Sequence, residues 1–307
     1  MRILITGASG FIGSALVDEL WLRGYKDITL LVRNTSKVER FKDRNLKLIY
    51  GDIADYGSLS QIKEVFDVIF HCAAYVENKN WNKLYSANIL GTKNICSFAL
   101  EKGVKKLIYL SSVAVVSGNS QLPLTESIDY SYTNLYGKSK IEAEKIVIAF
   151  RDKGLKAAIL RPCMVYGENE PHALALLLKL IRFRLFAMFN AGKSKLHLVY
   201  IGNVVEALIF CMENESCLKD SLFIADSEVL TSREVFSILA SGLGVKAPLI
   251  VSEGFTKWLC KLPLIGEKIK FFLKDRVYSI EKIKSLGYSE KYPVRDSLLK
   301  TALYYRD

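Results

Sequence analysis

Two short stretches of this 307-residue chain carry residue types that can do chemistry together. In YGKSK, Tyr136 and Lys140 stand at i and i+4, so a helix puts the ammonium on the same face as the phenol. A free phenol has a pKa of about 10, and a neighbouring cation favours its ionised form. Tyr136 can therefore give a proton to, or take one from, a carbonyl or alcohol oxygen while hydride moves at the carbon. Upstream, LIYLSS ends on Ser111 and Ser112, and a serine there can hold that oxygen against Tyr136, the other capping the strand end. The second stretch is ITGASGFIG, in which Gly7, Gly10 and Gly13 follow directly on a strand-like run. A backbone turning from strand into helix around an anion needs positions without Cβ, and the helix N-terminus supplies amide donors for a dinucleotide phosphate.

These residues need a scaffold, and the apolar periodicity describes one. RILIT, ITLLVR, LKLIYGD, VIFHCAA, KLIYLSS and AAILRP read as short strands, separated by helical patterns that include residues 84–101 and 134–152. That alternation predicts an α/β fold, a Rossmann-type doubly wound parallel sheet, over residues 1–167. Residues 168–307 read as a smaller, mainly helical substrate-binding region, with a Leu-rich helix over 173–189. Segments near 196–201 and 222–226 are expected to return to the main domain. Arg33 closes the second strand where an NAD enzyme usually carries an acid for the ribose 2′-hydroxyl. With Ser36 and Lys37 nearby it suits a 2′-phosphate, so NADP is expected before NAD. Asp52, closing the third strand, is placed to accept from an adenine amino group.

Composition narrows the classes. Hydrophobic residues make up 50% and charged residues 24%, as in an ordinary globular enzyme. Six scattered cysteines without a C-x-x-C pair read as reduced thiols, so neither a disulfide framework nor a metal site is expected. The net charge is +11, and lysines occur along the whole chain without a nucleic-acid motif, so no nucleic-acid partner is expected. The first strand begins at Arg2 without a preceding signal-like segment, and a cytoplasmic location is expected. Residues 254–276 interleave Phe255, Trp258, Leu259 and Leu262 with lysines. Such helices can rest on anionic membranes, but a lid over the pocket or a subunit contact reads the same and is preferred.

Taken in order, TGASGFIG, GDIAD, HCAA, Asn88–Thr92 as N-x-x-G-T, LSSVAVVSG, YGKSK and RPCMVYG resemble the extended short-chain dehydrogenase/reductases, also called the NAD-dependent epimerase/dehydratase family. The resemblance covers at least Met1 to Gly167. It implies Ser112, Tyr136 and Lys140 as a catalytic trio, with Ser112 preferred to Ser111 by its distance to VVSG. It implies cofactor contacts from Gly7, Ser9, Gly10, Phe11, Ile12 and Gly13 at the first turn, and from Arg33, Lys37, Asp52 and Ile53 beyond the second and third strands. Ala73 and Ala74 line the cofactor, Asn88 supports the active-site helix, and Ser111, Tyr136, Lys140 and Pro162 complete the set. A homodimer is the assembly it implies.

Departures from the family narrow the substrate. Sugar-nucleotide dehydratases carry an Asp-Glu pair after the catalytic hydroxyl residue, where this chain has Val113 and Ala114, so dehydration is not expected. Sugar-nucleotide epimerases read R-P-x-N-V-Y-G, and here Met164 replaces the diphosphate-binding Asn. Tyr200 and Asn203 replace their His and Asp, leaving Lys193, Lys195 and His197 to meet a diphosphate. LVRNTSK, GDIADYGSL and LSSVAVVSG together resemble the branch of dihydroflavonol reductases and 3β-hydroxysteroid dehydrogenases. The expected substrate is therefore an apolar secondary alcohol or ketone. A nucleotide-sugar epimerase using the same trio and a non-catalytic NADP-binding or redox-sensing protein are the alternatives.

Overall fold

The computed structural model describes residues 1–33, 38–171, 174–262 and 266–306. The chain runs through β1 (Ile3–Thr6), α1 (Phe11–Leu22), β2 (Ile28–Val32), β3 (Lys47–Tyr50), α2 (Tyr56–Ser60), β4 (Val68–His71), α3 (Trp81–Leu84), α4 (Gly91–Glu101), β5 (Lys106–Leu110), α5 (Leu135–Arg151) and β6 (Ala157–Pro162). There follow β7 (Met164–Tyr166), α6 (Leu174–Arg182), β8 (Ala187–Met188), β9 (Lys195–Leu196), β10 (Leu198–Tyr200), α7 (Ile201–Glu213) and β11 (Ser221–Ile224). The last third holds β12 (Leu230–Thr231), α8 (Ser232–Gly242), β13 (Leu249–Ile250), α9 (Glu253–Leu259), α10 (Gly266–Leu273), α11 (Glu281–Ser285) and α12 (Val294–Tyr304).

Two compact units result. The first comprises Met1–Cys163, Val204–Ile224 and Ile280–Ser289. Its seven-stranded sheet has the order β11-β6-β5-β4-β1-β2-β3, with every pairing parallel. β1, β2, β4 and β6 are buried along their whole length, which is why they read as continuous apolar runs. On one face α4 and α5 supply Ile95, Phe98, Ala143, Val147 and Phe150 to a core shared with Leu4, Ile69, Leu107 and Ile159. The strand order reverses between β1 and β4, and the C-terminal ends of those two strands mark the crevice where such sheets bind ligands.

The second unit comprises Met164–Asn203, Ala225–Ser279 and Glu290–Asp307. Three two-stranded pairings, β7 with β10, β9 with β12 and β8 with β13, surround the packed helices α8 and α12. A Cβ on Gly242 of α8 would stand 2.5 Å from that of Ala302 on α12, so glycine permits their close approach. The chain divides after Cys163, and the segment near 196–201 stays with this unit, because β10 pairs with β7 and not with the main sheet. β11 does join that sheet, beside β6. The predicted helix over 173–189 ends at Arg182: Arg184 adopts φ 58, and the chain continues into β8, paired with β13. Ala173 lies outside the described residues.

Candidate active site

The first turn is built by glycine. Gly7 leaves β1 with φ +73, and a Cβ on it would come 2.6 Å from the Ala73 backbone nitrogen. A Cβ on Gly13 would stand 2.2 Å from the Gly7 carbonyl oxygen, so α1 seats against the turn only because that position is bare. Gly10 caps α1 without a side-chain hydrogen bond, and no acid occupies its first turn, which leaves amide donors for an anion. A groove of about 800 Å³ opens here, lined by Gly7, Ser9 and Gly10, by Arg33, Asp52 and Ile53, and by Ala73 and Ala74. Its wall continues through Tyr75, Asn80, Lys83 and Ser86, which the sequence reading missed because they lie on a loop and a short helix without a phosphate motif. These residues fit a dinucleotide: bare backbone, a helix N-terminus, and polar groups along one wall. Phe11 and Ile12 stand half-buried in α1 beside the turn, and Lys37 lies outside the described residues.

The chemistry-bearing residues gather beyond the end of β5. Ser112 caps a short turn, its Oγ accepting from the Ala114 nitrogen at 3.2 Å. Asn134 caps α5, accepting from Gly137 at 2.8 Å. A Cβ on Gly137 would meet the Ala114 carbonyl oxygen at 2.6 Å, so this glycine lets α5 bring Tyr136 up to the Ser112 turn. Burial pushes the Tyr136 phenol up to about 12, against the pull of the Ser112 hydroxyl. Lys140 is buried, and burial pulls its ammonium down to about 8, against the opposing effects of Glu144 and Cys72. Among the described residues its donors reach the Leu110 carbonyl at 2.8 Å and the Tyr109 hydroxyl at 3.2 Å, and not Tyr136. A desolvated ammonium takes the acceptors within reach, and those lie on β5.

Two buried networks stand behind these groups. Ser111, expected at the cofactor, instead donates to the Glu144 carboxylate at 2.5 Å. Glu144 also accepts from Tyr130 at 2.8 Å and from Arg161 Nη2 at 2.6 Å and Nε at 3.0 Å. Buried carboxylates need such donors, and Arg161, directly before the buried Pro162 on β6, supplies the charge. The second network starts at Lys140. An ammonium only donates, so Tyr109 accepts from it; the Tyr109 hydroxyl is also hydrogen-bonded to Thr92, whose Oγ1 lies 3.1 Å from His71 Nε2. His71 Nδ1 meets the Thr6 hydroxyl at 2.8 Å, and Thr6 also accepts from the Ala73 nitrogen. Burial drives His71 down to about 3, so its ring is neutral, one nitrogen donating and the other accepting, and the chain of polar groups reaches from Lys140 to the groove wall at Thr6.

Signals for both networks exist in the sequence. Glu144 stands at i+4 from Lys140, and Arg161 and His71 each interrupt an apolar strand pattern. Asn88 bonds the Tyr75 backbone on both sides and the Ser139 hydroxyl at 2.9 Å, tying the groove wall to α5. The segment holding it, Tyr85–Leu90, widens into π-helix between α3 and α4. In the second unit, His197, Asn203, Tyr200 and Lys193, considered for a diphosphate, have protein partners, whereas Lys195 is exposed and bonds Asp275 through its backbone nitrogen. His197 Nε2 meets the Asp226 carbonyl at 2.6 Å, and Asn203 donates to the Asp226 carboxylate at 2.8 Å. Tyr200 bonds Glu168 and Lys300, and Lys193 pairs with Glu253.

The profile of the NAD dependent epimerase/dehydratase family matches residues 3–222. An Escherichia coli O157:H7 protein, N-acetyl-alpha-D-glucosaminyl-diphospho-ditrans,octacis-undecaprenol 4-epimerase, is 27% identical over 99% of this chain and 95% of its own length. The sterol-4-alpha-carboxylate 3-dehydrogenase of Bos taurus is also 27% identical, over 80% of this chain and 71% of its own. The crystal structure of a UDP-glucose 4-epimerase from Thermotoga maritima with UDP-glucose superimposes with a TM-score of 0.80 at 25% identity, covering 100% of this chain and 99% of that one.

Proposed function

Because the chain belongs to the NAD dependent epimerase/dehydratase family, we propose that its groups serve hydride exchange at a secondary alcohol or ketone carbon of an apolar substrate, with NADP preferred. A nicotinamide cofactor, held along the groove by Gly7, Gly10, Arg33 and Asp52, would supply the hydride exchange. Tyr136 moves the proton at the substrate oxygen and Ser112 holds that oxygen in place. Lys140 supplies the positive charge that favours the ionised phenol, from a position held by Tyr109 and Leu110. The observation that carries this reading is the convergence of Ser112 and Tyr136 through the Gly137–Ala114 approach. Arg33 on the groove wall supports the NADP preference, since a guanidinium matches a phosphate where a carboxylate would repel it. The apolar substrate class rests on Met164, exposed on β7 where epimerases carry Asn, and on the engagement of His197, Asn203, Tyr200 and Lys193 with protein partners.

The test follows nicotinamide absorbance with a panel of apolar ketones and alcohols. Tyr136→Phe should lower turnover by about 10²–10⁴-fold while the cofactor still binds. Arg33→Ser should weaken NADP about tenfold and leave NAD unchanged. A second reading, epimerisation of a nucleotide sugar, is favoured by the match of the whole chain to a UDP-glucose 4-epimerase. UDP or dTDP raising the thermal midpoint of the NADP-loaded protein would establish that reading in place of the first. The assembly and compartment proposed with it are a homodimer in the cytoplasm, the former read by light scattering.

A further inference from the structure

The net charge of +11 is not evenly distributed. Residues 174–195 hold five cations and no acid, and residues 246–276 hold seven cations and three acids, so 53 residues account for +9 of it. Within the second unit these two segments interlock. β8 pairs with β13 in the register Ala187 with Leu249 and Met188 with Ile250, and the Ala191 nitrogen donates to the Val251 carbonyl. The Asn190 nitrogen donates to the Thr256 hydroxyl at 3.0 Å.

The same segments carry exposed apolar side chains. Phe183 is 67% exposed and Leu185 is 73% exposed, just before β8, while Leu249 on β13 is 67% exposed. On α9, Phe255 and Trp258 are each 53% exposed and stack with ring centroids 5.3 Å apart, with buried Thr256 on the inner side. α6 buries Leu178 and Ile181 yet turns Leu176 outward, and Leu176 and Phe183 share a helical face at i, i+7. Lys179, Arg182, Arg184, Lys257 and Lys261 of the same segments are exposed.

We propose that this face of the second unit docks on the surface of an anionic phospholipid bilayer. Aromatic and leucine side chains enter the headgroup boundary, while lysine and arginine stems extend to the phosphates. Charge complementarity selects this occupant. A protein partner would have to set an acid against each of several scattered cations in a desolvated contact, whereas a lipid surface offers diffuse negative charge at every position. Among the described residues no helix is long and apolar enough to cross a membrane, so attachment is peripheral. The inference lies beyond the hydride chemistry, and its test does not run through turnover.

The experiment uses phosphatidylcholine vesicles with and without phosphatidylglycerol. Wild-type protein should sediment at least about tenfold more with the anionic vesicles, and added salt should release it. Trp258 is one of three tryptophans, with Trp21 and Trp81. In a Trp21→Phe/Trp81→Phe variant its fluorescence should be quenched by brominated acyl chains. Phe255→Ser/Trp258→Ser should lose about tenfold in vesicle binding while cofactor affinity is unchanged. Equal sedimentation with both vesicle types overturns the proposal. So does a Trp258 that stays unquenched, or one shielded without lipid in a dimer seen by light scattering.

Discussion

Glu144→Gln tests the buried architecture behind the active site. Glu144 is fully buried and accepts from Ser111, Tyr130 and two nitrogens of Arg161, itself 3% exposed. Removing the negative charge leaves a guanidinium in the interior without a counter-ion, at a cost of about 3–5 kcal/mol. Burial at this site is too complete for solvent screening to reduce that figure. For a chain of this size each kcal/mol moves the thermal midpoint by about 2–4 °C, so the variant should melt roughly 10 °C lower. Urea unfolding should show a lower midpoint at an unchanged slope. The double variant Glu144→Gln/Arg161→Met should recover most of the loss, since it removes the stranded charge. Among the described residues Arg161 Nη1 is the one buried side-chain polar atom without a partner, so the wild-type pair is itself incompletely solvated by the protein. A single-variant loss below about 1 kcal/mol, or a double variant no better than the single, refutes the reasoning.

Lys140 is pulled from 10.5 to about 8 by burial, so the fold carries the cost of a buried charge at low pH. The unfolded chain binds the additional proton between these values, and stability relative to Lys140→Met should rise by about 3 kcal/mol from pH 8 to 10.5 in urea titrations. A flat difference would contradict that. Tyr109→Phe removes an acceptor from the ammonium and should move the alkaline limb of the rate profile about one unit lower, leaving cofactor affinity unchanged. Gly13→Ala places a Cβ 2.2 Å from the Gly7 carbonyl oxygen, so cofactor titration should show affinity lowered at least about tenfold. Asp226 is pushed up to about 7 by burial, so the stability it contributes is fully present below pH 4 and is lost as pH rises through 7. Asp226→Asn should flatten that slope in thermal melts.

The sheet was legible in the sequence because its cause is local and repetitive. Buried parallel strands demand unbroken apolar runs such as ILIT and ITLLV, and the helices between them keep their caps at Gly10 and Asn134. The Gly13 part of the glycine turn was legible for the same reason, since its neighbour is the Gly7 carbonyl six residues before it, whereas the Ala73 backbone that Gly7 approaches is brought there by the pairing of β1 with β4. The spacing of Tyr136 and Lys140 also sufficed to put both on α5. Which acceptors Lys140 takes was not legible: Tyr109 and Leu110 lie 31 and 30 residues away, and only the β5–α5 packing brings them to the ammonium. Thr6 and His71, 65 residues apart, meet because β1 and β4 are neighbours in the sheet, a consequence of chain topology that no local pattern encodes. The charged apolar face has the same origin. Residues 254–276 read as a basic amphipathic segment in the sequence, whereas the pairing of β8 with β13, which sets residues 187–188 beside 249–250, was not legible there. Spacing along the chain determines which residues share a strand or helix, whereas contacts across loops depend on the whole molecule closing around its core.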